Sequence, residues 1–338
     1  MIGFLAKTAW FVCGLFQCRL QHRITTLSRS TLAVVISLLL LTTSPAADLR
    51  ERFQFKSTAD GTNQEAILIV PRESINGPIP LVVNLHSWSA DLNQRSDLEQ
   101  LVPDRGWIYL APNFRGVNQT PQACGSLLAQ QDILDAVDWV SVRHRIDPKR
   151  VYLTGASGGG HMTMLMAGRY PDRWRAASAW VGISDLVSWH KKHRGKRYGN
   201  MLEKCCGGAP GDSTQVDEQY VARSPIHFMR HANKLPIDLL AGVEDGHTGS
   251  VPIRHSLDAF NEIAKANGTP VISKTEIEQL SRRDGRLAQP QPGDQGFDPD
   301  LGRKYFLRRH SNEARATIFE GGHESVARAT IAWFEQHP

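Results

Sequence analysis

A serine flanked by glycines is the strongest chemical signal in this sequence. Gly155-x-Ser157-x-Gly159 follows the apolar run 151–154 and precedes a helical pattern. A sharp turn from strand to helix strains its central residue, and glycines on either side prevent clashes, so the hydroxyl is lifted above the sheet edge. We therefore predict that Ser157 is a nucleophile. A phosphate-binding turn is the alternative, but the sequence lacks the Lys-Ser/Thr ending of a P-loop.

A serine hydroxyl needs a base to become reactive near neutral pH, and that base must be oriented. His323 lies in a Gly-Gly-His turn after the apolar run 316–319. This position places its imidazole at the carboxyl end of a strand, on the same sheet edge as Ser157. We predict His323 as the general base. His161 is expected to pack within its helix, and His86 is expected to brace a loop.

A carboxylate beyond the strand-like run 237–241 is predicted to orient the imidazole of His323. Asp245 has this position. Glu244 is adjacent, but the alternation of a pleated strand aims it elsewhere. Asp185, after the preceding strand-like run, is the main competitor. The order of nucleophile, acid and base along the chain is then the order found in α/β-hydrolases.

Acyl transfer also needs two backbone N–H groups aimed at the developing oxyanion. Gly158 is predicted to supply one, because it opens the helix after the nucleophile. Trp88, in preference to Ser87, is predicted to supply the other, since the buried strand-like run 81–85 leads into this loop. An ordinary strand end with a core tryptophan is the alternative.

Strand-like runs and helical patterns alternate along the body of the chain. Several runs are continuous and apolar, which is typical of strands buried on both faces. The alternation predicts an α/β fold with a mostly parallel sheet and helices on both faces. The strand-like runs are 66–70, 81–85, 107–111, 151–154, 176–181, 237–241 and 316–319, and the helical patterns are 133–140, 259–266 and 325–334.

Two polar segments interrupt this rhythm, at 186–235 and 273–312. Both are predicted to be insertions on the rim of the sheet rather than separate domains; the first is irregular, and the second contains a Pro/Gly-rich run at 289–293. The first contains a basic cluster at 191–197. It is interpreted either as a solvated loop or as a site for an anionic substrate.

Residues 1–47 are predicted to be a secretory signal. Basic residues precede the apolar run 32–41, and small residues follow it. A bilayer span needs about 20 apolar residues, so this run is too short to cross. A buried core helix is the alternative. Residues 48–338 are then expected to form one soluble catalytic domain, secreted or periplasmic, with no membrane span.

The composition is that of a packed globular protein. The 338 residues are 41% hydrophobic and 22% charged, which excludes a disordered or collagen-like chain. The net charge of +5 depends on four basic residues before Asp48, and the body has 35 basic residues against 34 acidic ones. We therefore expect no nucleic-acid partner.

Three cysteines follow the predicted signal: Cys124, Cys205 and Cys206. A disulfide from Cys124 to one of the adjacent pair and three ordinary buried thiols are both consistent with this arrangement. The spacing does not suggest zinc, because no second cysteine or histidine pair completes a site.

Four motifs together resemble the α/β-hydrolases, and most closely the prolyl-oligopeptidase-type catalytic domain and related secreted esterases. The resemblance covers residues 64–338. It implies an eight-stranded sheet, a Ser-Asp-His triad of Ser157, Asp245 and His323, and hydrolysis through an acyl-enzyme with no cofactor. The motifs are Leu-His-Ser-Trp at 85–88, Gly-Ala-Ser-Gly-Gly-Gly-His at 155–161, Gly-x-x-Asp at 242–245 and Gly-Gly-His at 321–323.

The chain departs from this family pattern in two places. Ser87 stands where family members usually have a glycine after the histidine. The short stretch between the predicted signal and the catalytic core leaves no room for the β-propeller of true prolyl oligopeptidases. The resemblance is therefore compatible with an ester as the substrate.

The leading hypothesis is a secreted serine hydrolase that cleaves a small-molecule or polysaccharide-linked carboxylic ester. A prolyl-oligopeptidase-like serine peptidase is the runner-up. A catalytically inactive hydrolase fold used as a binding module is the alternative from another class, because a fold alone does not establish a function. The complete set of triad residue types argues against this last alternative.

Overall fold

The sheet that positions the predicted site has six parallel strands at its centre. A computed structural model describes residues 49–71 and 77–338 of the chain, so the predicted signal at 1–47 lies outside the described residues. Ten strands of the described part form one sheet in the order β1-β2-β4-β3-β5-β6-β7-β10-β9-β8. The six central strands, which are β4, β3, β5, β6, β7 and β10, are parallel. The two strands beyond them on each side pair antiparallel. The strands β1 to β10 are Leu49–Lys56, Asn63–Val70, Ile79–Leu85, Ile108–Pro112, Ile146–Ala156, Ala176–Trp180, Ile237–Gly242, Gly296–Asp298, Arg303–Ser311 and Ala314–Phe319.

Helices connect these strands, as the alternation of patterns predicts. The described part has nine α-helices and several short 3-10 turns. The helices α1 to α9 are Leu98–Leu101, Leu127–Arg143, Gly158–Arg169, Leu186–His193, Arg197–Cys206, Thr214–Arg223, Arg254–Asn267, Lys274–Leu280 and Ala327–Glu335.

Both faces of the sheet are covered, and β5 shows how. Successive side chains of a strand point to opposite faces. Leu153 is buried in the core that α2 and α3 share, whereas Tyr152 belongs to the core on the other face. There the Tyr152 ring stacks on Phe334 of α9, with ring centroids 4.7 Å apart. The continuous apolar runs of the sequence are strands buried in this way.

Ten strands lie in the sheet where eight were expected, and the two extra strands come from the segment 273–312. The Pro/Gly-rich run does not indicate strands, but β8 and β9 form a hairpin that extends the sheet beyond β10, so this segment is more regular than its composition suggests. Strand β9 is rich in arginine, which hides its pattern. Arg308 pairs with Asp298 at 2.6 Å, and Arg309 pairs with Asp294, so partly buried ion pairs supplement the few apolar contacts of this strand.

The segment 186–235 is also more regular than predicted. It forms α4, α5 and α6, followed by short 3-10 turns. These helices bury their apolar side chains against one another, with Trp189, Leu202 and Tyr220 in a separate small core. Because each helix has 8 to 10 residues and contributes few residues to this core, no long periodic stripe appears in the sequence.

Two buried histidines make the fold sensitive to acid. Burial lowers the pKa of His161 to about 4 and that of His255 to about 3. The backbone N–H of Ser184 points at His255 Nδ1 at 3.3 Å, which can accept only while that nitrogen is unprotonated. Both imidazoles are therefore neutral in the folded protein at pH values where the unfolded chain, with a pKa of about 6.5, already binds protons.

We expect the free energy of unfolding to fall as the pH drops below about 6, by up to about 2.7 kcal/mol per pH unit for these two groups. Urea unfolding at neutral pH and at about pH 5 measures this change. His161→Gln should remove about half of the slope, whereas His231→Gln, at an exposed position, should leave it unchanged. Equal slopes for all three proteins would contradict the assignment.

Candidate active site

Ser157 lies at a strained turn on the carboxyl edge of the sheet. Strand β5 ends at Ala156 and helix α3 begins at Gly158, and Ser157 between them has φ 61° and ψ −114°. A side chain on Gly155 would place its Cβ 2.6 Å from the Gly159 backbone, and one on Gly159 would overlap the Leu85 carbonyl oxygen. The glycine spacing that predicted this turn is therefore required by close backbone contacts.

His323 and Asp245 meet on the same edge of the sheet. His323 Nδ1 lies 2.7 Å from Asp245 Oδ2, and the aspartate side chain is fully buried. The other carboxylate oxygen accepts hydrogen bonds from the N–H groups of Gly246 at 2.8 Å and Val251 at 3.1 Å. These contacts fix the carboxylate, so that it can hold the imidazole in one orientation.

Ser157 and His323 line one cavity of about 420 Å³. Among the residues that the structure describes, no hydrogen bond joins the Ser157 hydroxyl to the imidazole. Catalytic hydrogen bonds are often long in ligand-free enzymes and shorten when substrate binds. The structure therefore brings the predicted nucleophile and base to one cavity. The contact between the base and Asp245 is already formed, and the contact between the base and Ser157 is not.

The two alternative acids have other places. Asp185 accepts hydrogen bonds from the N–H groups of Val187 at 2.9 Å and Ser188 at 3.1 Å, so it caps helix α4. Glu244 is exposed, as the pleat alternation predicts. Asp245 is the acid that contacts His323.

The loop after β3 explains which backbone N–H is free for an oxyanion. The Ser87 N–H donates to Gln94 Oε1 at 2.8 Å and is therefore occupied. Within the described ranges the Trp88 N–H has no acceptor, and a Cβ on Gly158 would overlap the Trp88 backbone. Gly158 is the first residue of α3, where amide groups lack intrahelical acceptors. The backbone of Trp88 and that of Gly158 are therefore in close contact, and both N–H groups remain candidates for the oxyanion.

The two other histidines near the nucleophile turn and the loop after β3, His86 and His161, contact only structural partners. His86 stacks on Phe114, with ring centroids 3.9 Å apart, and its Nε2 lies 2.8 Å from the Asn113 carbonyl oxygen. His161 is fully buried in α3, and its Nε2 lies 2.7 Å from the Arg223 carbonyl oxygen. Neither ring lines the cavity that holds Ser157.

Sequence reasoning missed several residues that line the cavity or position its walls. Tyr198 comes from the helical segment after β6, and Val181 follows β6 with a φ of 44°, which is unusual for a β-branched residue. Gln94 holds the oxyanion loop through its side chain. Of these residues, only Val181 could have been indicated by the sequence, through the Trp-Val-Gly run at the end of a strand. Tyr198 and Gln94 come from segments without a motif.

Ser87 and Gln94 together replace the glycine that the resemblance leads one to expect. The Ser87 hydroxyl donates to the Ala156 carbonyl oxygen at 3.1 Å, next to the nucleophile. The Gln94 amide accepts from the Ser87 N–H and donates to the Ser87 hydroxyl at 3.3 Å. These bonds tie the oxyanion loop to the end of β5.

Gln94→Ala is expected to lower kcat for ester hydrolysis about fivefold, with little change in KM, because a looser loop aims the Trp88 N–H less well. Steady-state kinetics on a short aryl ester measures the effect. Gln54→Ala is the matched control, since Gln54 is exposed, lines neither cavity, and its side chain donates to Glu65 on the neighbouring strand. A loss in KM alone, or an equal loss in the control, would contradict the positioning role.

The three described cysteines are free thiols, so the structure has the arrangement of ordinary buried cysteines rather than a disulfide. Cys124, Cys205 and Cys206 lie in the small core beneath α4 to α6, next to the Trp88 ring. Burial raises the pKa of Cys124, and its thiol contacts that of Cys205. Burial also raises the pKa of Cys206, to about 12, so low reactivity is expected from Cys124 and Cys206.

Comparison with known proteins gives the chain a family. The sequence model of the prolyl oligopeptidase family matches residues 94–278, which is more than half of the chain. The acylamino-acid-releasing enzyme of Mus musculus is 26% identical over 226 residues, covering 61% of this chain and 29% of the mouse protein. Feruloyl esterase B of Thermothelomyces thermophilus is 29% identical over 158 residues, covering 43% of this chain and 52% of the esterase. The matched part of the chain thus spans about a third of the length of the mouse protein and about half of the length of the esterase.

Solved structures confirm the fold. The uncomplexed acylaminoacyl peptidase of Pyrococcus horikoshii superposes with a TM-score of 0.58 at 18% identity, covering 88% of this chain and 41% of that one. An acylaminoacyl peptidase in complex with Z-Gly-Gly-Phe-chloromethyl ketone gives a TM-score of 0.54 at 20% identity, covering 67% and 36%. The predicted α/β-hydrolase fold is therefore confirmed.

Proposed function

This chain belongs to the prolyl oligopeptidase family of serine hydrolases, and on that basis we propose that it cleaves carboxylic esters through an acyl-enzyme. The observation that carries the proposal is the buried Asp245–His323 contact of 2.7 Å beside the cavity that Ser157 lines. It supplies the base and orienter that a serine nucleophile requires.

The proposed reaction has two steps. Ser157 Oγ attacks the ester carbonyl while His323 Nε2 takes the hydroxyl proton, and the Trp88 and Gly158 N–H groups hold the oxyanion. The imidazolium then gives its proton to the leaving alkoxide, which forms the acyl-enzyme. Water attacks the acyl-enzyme with His323 again as the base, which releases the acid and restores Ser157. Asp245 keeps the Nδ1 proton in place throughout.

The charges of the cavity favour a substrate without a free amino group. Among the described residues that line the cavity, Glu324 is the one carboxylate. It pairs with Arg303 at 2.7 Å, which holds the pKa of Glu324 below its usual value. An ammonium group would meet no unpaired carboxylate there, so an amino-terminal residue would be desolvated without compensation. An ester or a blocked acyl group incurs no such cost.

The space around the cavity suits a substrate that extends beyond its ester bond. A second cavity of about 610 Å³ adjoins the first and shares Gln94, Ala156 and Ser325 with it. Arg50 and Asn84 are among its polar lining residues. A polysaccharide-linked or other polar ester is therefore the proposed substrate class, and similarity to feruloyl esterase B supports it.

A peptidase that removes blocked residues is the second candidate. Similarity to the acylamino-acid-releasing enzyme over 61% of this chain favours it. An N-acylated peptide also lacks the free ammonium group that this cavity does not accommodate. The two candidates differ in the leaving group, because an amine must be protonated as it leaves, whereas an alkoxide departs more readily.

A substrate panel separates these candidates. Purified protein is tested on p-nitrophenyl acetate, methyl ferulate and acetylated xylan, beside N-acetylalanine and prolyl p-nitroanilides. We expect kcat/KM for the esters to exceed that for the anilides. Faster cleavage of the N-acetylated anilide would favour the peptidase. No turnover of any compound by folded protein would indicate a binding role.

We also propose that the protein is exported, to the periplasm or beyond the cell. The basic and apolar pattern of residues 1–47 supports this. No helix in the described part of the chain is both long and apolar enough to cross a bilayer. Expression of the full chain in a bacterial host should yield a mature product that begins near Asp48. Amino-terminal sequencing of cytoplasmic protein that still begins at Met1 would contradict export.

A further inference from the structure

We propose that residues 191–197, called here the basic loop, bind negatively charged groups of the substrate beside the catalytic cavity. This inference rests on the proposed ester hydrolysis and specifies its substrate. The proposed ester carries carboxylate or sulfate groups on a part of the molecule that does not react.

The basic loop presents four cations without partners. Lys191, Arg194, Lys196 and Arg197 are all exposed. Across residues 49–71 and 77–338 no carboxylate lies within 4.0 Å of their charged groups, and they donate no side-chain hydrogen bonds. The uncompensated charge is therefore available to a ligand.

Three acids around the basic loop and the cavity are engaged elsewhere, whereas Glu244 is exposed and forms no ion pair within 4.0 Å in the described ranges. Asp185 caps α4, and Glu203 lies 2.7 Å from His190. Glu324, at the cavity, pairs with Arg303. Within the described ranges, no direct ion pair therefore neutralises the four cations of the basic loop.

Direct contacts place the basic loop on the rim of the active site. Lys192 Nζ donates to the Gly246 carbonyl oxygen at 2.7 Å, one residue after the acid that contacts His323. The Trp189 indole N–H donates to the Ser250 carbonyl oxygen at 3.0 Å, and His193 Nε2 lies 2.8 Å from the same oxygen. Tyr198, directly after the loop, lines the cavity. These contacts hold the backbone of the basic loop beside the loop that carries the acid and beside the cavity wall, and the four exposed cations project from that backbone.

The backbone of the basic loop is held in one shape. The Lys196 N–H donates to the His193 carbonyl oxygen at 2.9 Å, and Gly195 has a φ of 70°. Gly199 packs so closely on that carbonyl that a Cβ would overlap it. Cations on a fixed backbone need less ordering when an anion binds.

Helix stability does not account for all four cations. Lys191 lies in the last turn of α4, where the helix dipole favours positive charge. Lys196 and Arg197 lie at the start of α5, where the dipole disfavours it, and the first turn of α5 has no acidic residue. The helix dipole therefore does not account for these two charges.

The test compares two acetyl esters that differ in charge, p-nitrophenyl acetate and 3-carboxy-4-nitrophenyl acetate. A variant with Lys191→Gln, Arg194→Gln, Lys196→Gln and Arg197→Gln is expected to lose about tenfold in kcat/KM on the carboxylated ester and nothing on the neutral one. About 0.5 M salt should lower kcat/KM of the wild type on the carboxylated ester by a similar factor, because salt screens the attraction between the cations and the carboxylate. Polygalacturonate should inhibit wild-type hydrolysis of the neutral ester more strongly than it inhibits the variant.

A matched control carries the same change in charge on the opposite edge of the sheet. It has Arg145→Gln, Lys149→Gln, Arg230→Gln and Lys234→Gln, all exposed and near the starts of β5 and β7. Equal kinetics of wild type and loop variant on the carboxylated ester, or an equal loss in the control, would overturn the proposal. Hydrolysis of p-nitrophenyl acetate by all three proteins would show that the proposed ester hydrolysis itself holds, so the two failures are distinguishable.

Discussion

Ser157→Ala is expected to lower kcat for ester hydrolysis by about 10⁵-fold, to the level of the remaining binding and oxyanion contacts. The reason is that the hydroxyl is the one group at the strained turn that can form the acyl-enzyme. Alanine fits the same backbone and removes no packing contact, so the fold should stay intact. Circular dichroism and the thermal midpoint check this, and release of p-nitrophenol measures the activity.

Ser325→Ala is the matched control for this variant. Ser325 lines the same cavity, but nothing in the proposed reaction uses its hydroxyl. Its activity should stay close to that of the wild type. Comparable turnover by the Ser157 and Ser325 variants would contradict the assignment of the nucleophile.

Asp245→Asn should lower kcat by about 10⁴-fold, through the tautomer of His323. The carboxylate accepts three hydrogen bonds: the N–H groups of Gly246 and Val251 on one oxygen, and His323 Nδ1 on the other. Asparagine has one acceptor oxygen, which the two backbone donors occupy, so its NH₂ group faces Nδ1. The ring then carries its proton on Nε2 and cannot accept the proton of the serine.

Asp185→Asn separates this effect from a general loss of a buried acid. Asparagine caps helices as well as aspartate does, so α4 should remain intact and the activity nearly unchanged. Pre-steady-state kinetics on an aryl ester gives the acylation rate of each variant. A loss in the Asp185 variant as large as that in the Asp245 variant would contradict the assigned orienter.

The central part of the fold could be predicted because its strands are continuous apolar runs. All seven strand-like runs correspond to strands of the sheet, and the three helical patterns correspond to α2, α7 and α9, with boundaries that agree to within two residues where a run or pattern extends beyond its element. Strand β1 was missed, although Phe53 and Phe55 alternate with polar residues and are buried. Strand β9 could not be found in this way, because its arginines are satisfied by acids distant in the sequence.

The residues of the site also differ in whether the sequence could predict them. Ser157 stands in a glycine turn whose spacing follows from close backbone contacts, and His323 follows two glycines whose backbone packs against Gly242, so glycines in the sequence mark both residues. Gln94 and Tyr198 could not be predicted, because each reaches the cavity from a segment with no motif and depends on how distant elements pack. The role of Ser87 could not be predicted either, because it depends on two contacts. Its N–H donates to the Gln94 side chain, and its hydroxyl donates to the Ala156 carbonyl oxygen at the end of β5.

Labelling with a fluorophosphonate tests the central claim, an activated serine at the edge of this sheet, most directly. The reagent forms a stable phosphonyl adduct only with a serine whose hydroxyl is made nucleophilic by a neighbouring base. Mass spectrometry of the digested protein should find one adduct, on Ser157, formed much more slowly in the Asp245→Asn variant. Folded wild-type protein that forms no adduct, or forms it on another residue, would contradict the account.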